Sequence, residues 1–370
     1  MKTVLISGAS IAGPALAYWL HHHGFAPTIV ERSPDLRAGG QAIDVRGVAL
    51  DVVDRMGIGT QLRAARTRMR GMSMLDGEGN EIHRSTDSTF SSGQLDNEDV
   101  ELLREDLTHL LYERTRTDTE YVFNDSITAL TESESGIRTD FEHAPPRTFD
   151  LVVGADGLHS HTRALTFGPE DDFIHHLGTH LAIFSAENFL GLDNWQMWLR
   201  EGSAGYGIYP VRDNTELRIA AGFEAPPLAD GYDYRDTDRQ KALVADALDD
   251  LGWETPRLLE AMHAAPDFYF DSMAQIRMDS WSKGRVTLLG DAGYCASPLS
   301  GQGTSLALVG AYVLAEELGR NPDAHHTAYA RTEDRMRPFI ALENPGGPAT
   351  QETVDRAKSA IDLDAGRHLT

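Results

Sequence analysis

Apolar and polar positions alternate along the chain in blocks that predict short strands and amphipathic helices in a definite order. Residues 2–7 are apolar and β-prone, residues 12–22 place Ala15, Leu16, Trp19 and Leu20 on one helical stripe, and residues 27–31 form a second strand. This order predicts a βαβ unit. A helix over about 47–56, ended by Gly57, comes next; Met72 to Leu75 and Glu81 to Arg84 then flank Asp76-Gly77-Glu78-Gly79, a hairpin-turn composition. Helical spacing returns over about 104–115, and a helix drawn from Glu101 to Tyr112 has Arg104 near its start. A strand at Tyr121 to Phe123 leads through Ser126 to Ala129 into a second hairpin-like stretch, followed by Phe149-Asp-Leu-Val-Val153, a run apolar enough for one buried parallel strand.

Residues 178–224 alternate repeatedly, with Trp195, Met197 and Leu199 set against Gln196, Trp198 and Arg200, which predicts an antiparallel sheet with two distinct faces. Helices over about 237–251 and 255–263, β-rich residues 268–277, a buried strand at 285–289 and a long helix over about 303–318 complete the pattern. Beyond Pro345-Gly346-Gly347-Pro348, residues 349–361 are expected to form one terminal helix. The fold class that follows is α/β. A Rossmann-like dinucleotide domain is assembled from residues 1–70, 98–177 and 278–340; a mixed or antiparallel-sheet substrate domain, residues 71–97 and 178–277, is inserted in it; residues 341–370 form a C-terminal helical segment.

Composition narrows the setting. No apolar run reaches the roughly 18 residues of a membrane span, and the N-terminus is punctuated by Gly8 and Gly13 rather than shaped as a signal peptide, so a cytoplasmic protein without a membrane partner is expected. The net charge of -24 would repel a phosphate backbone, which argues against nucleic acid. Cys295 is the single cysteine, which excludes an intrachain disulfide or a cysteine-based metal cluster, and it reads as a small buried apolar residue. His21-His22-His23 lie on a helix, where successive side chains point about 100° apart and cannot converge on a metal. No metal site is expected, and the sequence leaves the oligomeric state open.

The chemistry begins at Gly8-Ala9-Ser10-Ile11-Ala12-Gly13, which departs from G-x-G-x-x-G at Ser10. A strand precedes it, a helix follows it, and Glu31 ends the next strand. The helix N-terminus offers free N–H groups to a diphosphate, and Glu31, with Arg32 beside it, is placed to accept hydrogen bonds from ribose hydroxyls. Leu288-Leu289-Gly290-Asp291 puts a second carboxylate at a strand end. Gly301-Gln302-Gly303-Thr304 opens the last long helix, whose unpaired N–H groups can stabilise negative charge.

Three stretches in order, the N-terminal fingerprint, Asp150-Leu-Val-Val-Gly-Ala-Asp-Gly157 with Ser160 and Arg163, and Gly290-Asp-Ala-Gly-Tyr-Cys-Ala-Ser-Pro298 running into Gly301-Gln-Gly303, resemble the group A flavoprotein monooxygenases, the fold of para-hydroxybenzoate hydroxylase. The likeness is nearest to aromatic polyketide hydroxylases and tetracycline destructases. It implies FAD as cofactor, NADPH or NADH as transient reductant, and insertion of one oxygen from O2 into an aromatic or polycyclic molecule through a flavin C4a-hydroperoxide. It also implies that Asp291 holds the ribityl chain, that Pro298 lies beside the isoalloxazine, and that Gly301, Gly303 and Thr304 face its N1–C2=O edge. Arg104 would reach the phosphate and ribityl region, Asp156 would serve FAD and NADPH, and Arg37-Ala-Gly-Gly-Gln-Ala-Ile-Asp44-Val-Arg46 would bring Arg37 to NADPH and Asp44 to FAD. Arg46 would project toward flavin and substrate, the one side chain with a conceivable catalytic part. Where Tyr294 stands the family usually has His. Trp198, Tyr209 and Arg218 are substrate-facing candidates that could equally be core. Gly205-Tyr-Gly-Ile-Tyr-Pro210 lacks the Trp-x-Trp-x-Ile-Pro of flavin-dependent halogenases. A reductase or dehydrogenase of the same fold, without oxygen insertion, stays open as the alternative.

Overall fold

Gly8 turns the chain where it does because its N–H reaches Val30 O at 2.8 Å and its φ of 110° suits only glycine, so the first strand, Thr3–Ser7, passes straight into the helix Ala12–His22. The computed structural model describes residues 1–91, 93–228, 232, 236–343 and 361–363. Thr3–Ser7 is flanked in parallel by Ala26–Glu31 and Leu151–Gly154. Glu120–Phe123 extends one side of this sheet, and Val286–Leu288 with the antiparallel Ser282–Lys283 extends the other. This is the mostly parallel sheet that the first strands predict.

Against it packs the helix Gly303–Arg320, buried on every side from Thr304 to Leu318, which is why its apolar residues show no single stripe. Its partners are Ala12–His22, Val48–Arg55 and the helix His325–Glu343. That last helix was not foreseen. Its surface is charged and Pro338 interrupts its pattern, and it is fastened from outside the periodicity: Arg335 bonds Glu316 at 2.7 Å and Glu317 at 2.8 Å. The expected terminal helix at 349–361 and most of the segment 341–370 lie outside the described residues.

The second sheet has seven strands in the order Tyr269–Ile276, Ile174–Glu187, Glu216–Glu224, Ala204–Val211, Gln196–Glu201, Met72–Leu75 and Glu81–Ser85. All its pairings are antiparallel except that of Gln196–Glu201 with Met72–Leu75. One face, with Leu199, Tyr206, Ile208 and Ile219, packs in the same core as Val244, Leu248, Leu258 and Met262 of the helices Thr237–Leu248 and Thr255–Ala264. The other face carries Trp198, Gly207, Ala220, Ile183 and Tyr269 in one row across the strands.

Two elements differ from the expected ones. Phe149 to Val153 is not one strand: Arg147–Phe149 belongs to a three-stranded sheet with Ile127–Ser133 and Gly136–Phe141, and Leu151–Gly154 to the parallel sheet. The switch falls at Asp150, whose carboxylate accepts from the Thr3 amide at 2.8 Å and hydroxyl at 3.0 Å. Likewise, Glu101 is not helical. Val100–Leu103 is a strand paired with Ala42–Val45, and the helix Arg104–Thr115 starts only after it, because pairing with a distant segment overrides local helix propensity. No helix among the described residues is long and apolar enough to cross a membrane.

Candidate active site

The glycine turn is built for close approach. A Cβ on Gly8 would stand 2.4 Å from Ala155 O, and one on Gly13 2.0 Å from Gly8 O, so strand ends and helix meet at distances only hydrogen permits. The helix that follows has Ile11 at its N-cap with no side-chain cap and no acid in its first turn, which leaves its first N–H groups for a ligand. Ser10 is exposed at the lip. Glu31 behaves differently from the expectation: Oε2 accepts from the Ala9 amide at 2.8 Å and Oε1 from the Ser33 amide at 2.9 Å, so the carboxylate also braces the turn. Arg32 beside it is exposed.

Arg104 enters this lip from the first turn of its helix. Its Nη1 donates to Ser10 Oγ at 3.3 Å, and its Nη2 to the carbonyls of Arg37 and Gly39 at 2.9 and 3.0 Å. The residue is buried, its Nε has no hydrogen-bond partner, and no carboxylate lies within ion-pair distance of it among the described residues. Burial lowers its pKa to about 10. A buried guanidinium held by neutral oxygens beside a glycine turn has the chemistry of a phosphate receptor. Gly40 makes the room, since a Cβ there would lie 2.6 Å from Arg104 Nε.

Asp291 opens a short helix after Gly290, which has a φ of 65°. Its surface is open, while the protein mass around it raises its carboxyl above the ordinary range by desolvation; both hold for a group on the wall of a deep recess. Gly303 faces it, with Asp291 Oδ1 3.7 Å from where a Cβ would be. Gly301, at φ 63°, precedes Gln302, the N-cap of an 18-residue helix with no side-chain cap and no first-turn acid; Gln302 is buried with Nε2 unpartnered, and Thr304 is buried in the first turn. Pro298 is exposed, directly after Ser297, whose φ of 79° marks a constrained backbone. Arg46 reaches the same loop: its guanidinium is 3.8 Å from the Cβ position of Gly301, its amide donates to Ser305 Oγ at 3.2 Å, and its Nη2 bonds Asp44 Oδ2 at 2.7 Å. Arg37 is exposed, with its guanidinium 5.3 Å from the ring centre of Tyr269.

Other expected residues have different employment. Asp156 accepts from Ser160 Oγ at 2.5 Å and from Thr162 N and Oγ1, both at 2.9 Å, so it secures the start of the helix His161–Phe167. Tyr209 and Arg218 leave the substrate list. The Tyr209 hydroxyl accepts from Ala42 N at 2.9 Å, and Arg218 donates to Asp267 at 2.7 Å and Glu105 at 3.1 Å, both side chains being buried as struts between the second sheet and the glycine loop. Trp198 keeps its place on the open face and lies over Gly207, where a Cβ would be 2.4 Å from the indole. Cys295 is buried, and burial pushes its thiol far up, which makes it inert. Tyr294 is buried on Trp281, 4.6 Å between ring centres, and its hydroxyl fills the space over Gly310.

Sequence reasoning missed Tyr269, Asp271 and His159. Tyr269 donates to Asp271 at 2.9 Å, and His159 Nε2 and Nδ1 contact Asp271 at 3.0 Å and Glu170 at 2.8 Å. The three lie on separate segments and carry no motif of their own, apart from the place of His159 two residues after Gly157.

A glycine turn, a buried arginine without an ion-pair partner among the described residues, and a recessed carboxylate facing a helix N-terminus are the features a dinucleotide site needs. The FAD binding domain family matches residues 1–330. An uncharacterized protein of Mycobacterium tuberculosis is 50% identical over 98% of this chain and 99% of its own. A flavin-dependent monooxygenase of Legionella longbeachae is 38% identical over 95% of this chain and 89% of its own. The crystal structure of tetracycline destructase Tet(55) superposes with a TM-score of 0.85 at 37% identity, covering 98% of each chain. The chain belongs to the FAD binding domain family, among the flavin-dependent monooxygenases, and its cofactor is FAD.

Proposed function

We propose that this enzyme uses NAD(P)H and O2 to insert one oxygen atom into an aromatic or polycyclic, polyketide-like small molecule. The balance is NAD(P)H + H⁺ + O2 + substrate giving NAD(P)⁺ + H2O + oxygenated product, so each turnover takes one proton from water. FAD, when bound, supplies the electron transfer and the activation of O2. The chain's own residues bind and orient: the N–H groups of 10–13 and Arg104 take the diphosphate, Glu31 the ribose, Asp291 the ribityl hydroxyls, and the Gly301–Thr304 helix start the electron-rich edge of the ring. Arg37, open to solvent over Tyr269, is suited to a transient nicotinamide dinucleotide.

The observation that carries the substrate class is the floor of the second sheet. Trp198, Gly207, Ala220, Ile183 and Tyr269 lie across five strands, with the smallest side chains in the middle. This row, with the Trp198 indole lying over Gly207, is the apolar face against which a flat fused-ring molecule would stack. Likeness to a tetracycline destructase supports the same class. The deciding experiment is NAD(P)H oxidation with a panel of fused-ring phenols under ¹⁸O2. One labelled oxygen in the product is expected; product formed without label would establish the reductase alternative.

A further inference from the structure

Asp44 and Glu101 stand directly opposite each other in the antiparallel pair Ala42–Val45 and Val100–Leu103, and each is only 5% exposed. Opposite residues of such a pair share a face, and like charges there repel. Two desolvated carboxylates so placed do not both ionise readily. Asp44 Oδ2 is bonded to Arg46, while its Oδ1 and Glu101 Oε2 are each buried with no hydrogen-bond partner, so either oxygen can keep a proton.

The two ends of this pair look in different directions. On one side Arg46 reaches the Gly301 loop and Ser305, at the helix start assigned to the flavin. On the other, Glu101 accepts from the Thr67 hydroxyl and lines a cavity of about 310 Å³ with Arg66, Thr67, Gln94 and Asp99. Also acting on the pair are the Ser91 hydroxyl and the Tyr209 phenol. We propose that Asp44 and Glu101 share one proton and pass it inward from the Thr67–Asp99 cavity, furnishing the proton that each turnover consumes. Asp44 releases it on the flavin side, Arg46 balances the carboxylate left behind, and Glu101 replaces it from cavity water. Desolvation raises both carboxyls, Asp44 to about 8 against the pull of Arg46, and Glu101 and Asp99 push it the same way. The need for this proton rests on the monooxygenase reading; the existence of the pair does not.

The test is infrared titration of the FAD-loaded enzyme without substrate. Wild type should show a protonated-carboxyl band that disappears with a midpoint near pH 8. Asp44→Asn should abolish that transition, and Glu101→Gln should lower its midpoint by about one unit or more because the opposing charge is gone. In turnover, Glu101→Gln should slow the reaction by on the order of a hundredfold, with recovery when acetate or imidazole buffer is supplied to the cavity. Absence of the band in wild type at about pH 6–7, or an unchanged band in both variants, overturns the shared proton. Lack of buffer rescue overturns the relay. Failure to oxygenate any substrate would refute the proposed function and leave the infrared result standing.

Discussion

Arg104 Nη1 meets Ser10 Oγ at 3.3 Å, so the one irregular position of the glycine turn is also where the buried guanidinium touches it. Serine therefore does something there that glycine could not: it gives the arginine an anchor at the lip. Removing the cation should cost the cofactor its charge-assisted bonds, about 1.5–3 kcal/mol, or about ten- to a hundredfold in affinity. Arg104→Ala should purify folded and largely colourless, and titration with FAD followed by flavin fluorescence measures the loss. Full occupancy after purification would remove Arg104 from the site.

Glu31→Gln is expected to act twice. Its two oxygens each take a backbone N–H, and glutamine presents an NH2 to one of them. Thermal unfolding of the FAD-free protein should show a loss of about 1–3 kcal/mol before any effect on ribose binding is counted. An apoprotein as stable as wild type would mean the brace is dispensable.

Gly310→Ala inverts the usual helix rule. Alanine in a helix interior normally gains about 0.5–1 kcal/mol over glycine. Here its methyl would lie 2.2 Å from the Tyr294 hydroxyl and 3.1 Å from Leu289, so a net loss of about 1–3 kcal/mol should appear in the melting temperature. Tyr294→Phe combined with Gly310→Ala should recover part of it, because the nearest remaining ring carbon is at 3.4 Å. Equal melting temperatures for the single and double variants would sink this account.

His159 makes stability pH-dependent. Burial alone would lower its pKa, but Asp271 and Glu170 overcome that and raise it from 6.5 to about 9. The folded protein then holds the proton more tightly than the unfolded chain, so the contribution is complete below about pH 6.5 and is lost as pH rises through about 9. Unfolding free energies of wild type and His159→Gln should converge across that window; a constant difference from acid to alkaline would exclude an imidazolium.

The parts of this fold legible in the sequence are those in which cause and effect are close together. Gly8, Gly13 and Glu31 fall within one βαβ unit, and Gly290 to Thr304 within one strand–turn–helix, so local pattern sufficed. The rest depends on distant partners. Nothing near Glu101 announces that residues 42–45 pair with it, and the helical spacing after Arg104 draws it into the wrong element. Arg218 and Tyr209 alternate on the open face as a substrate contact would, and only the arrival of Asp267, Glu105 and Ala42 from elsewhere shows them to be struts. Asp150 looks like the middle of a strand until Thr3 captures its carboxylate.

Arg104 and its neighbour Glu105 point one turn of chain in two directions. Arg104 grips the carbonyls of 37 and 39 at the glycine turn, while Glu105 holds the Gly39 amide at 2.7 Å together with Arg218 of the second sheet and Arg212 in the turn after Ala204–Val211. Loop 37–40 is thus tied on one side to the glycine turn through Arg104 and on the other to the second sheet through Glu105. Loosening either anchor is therefore expected to be felt at the other, across a loop only four residues long.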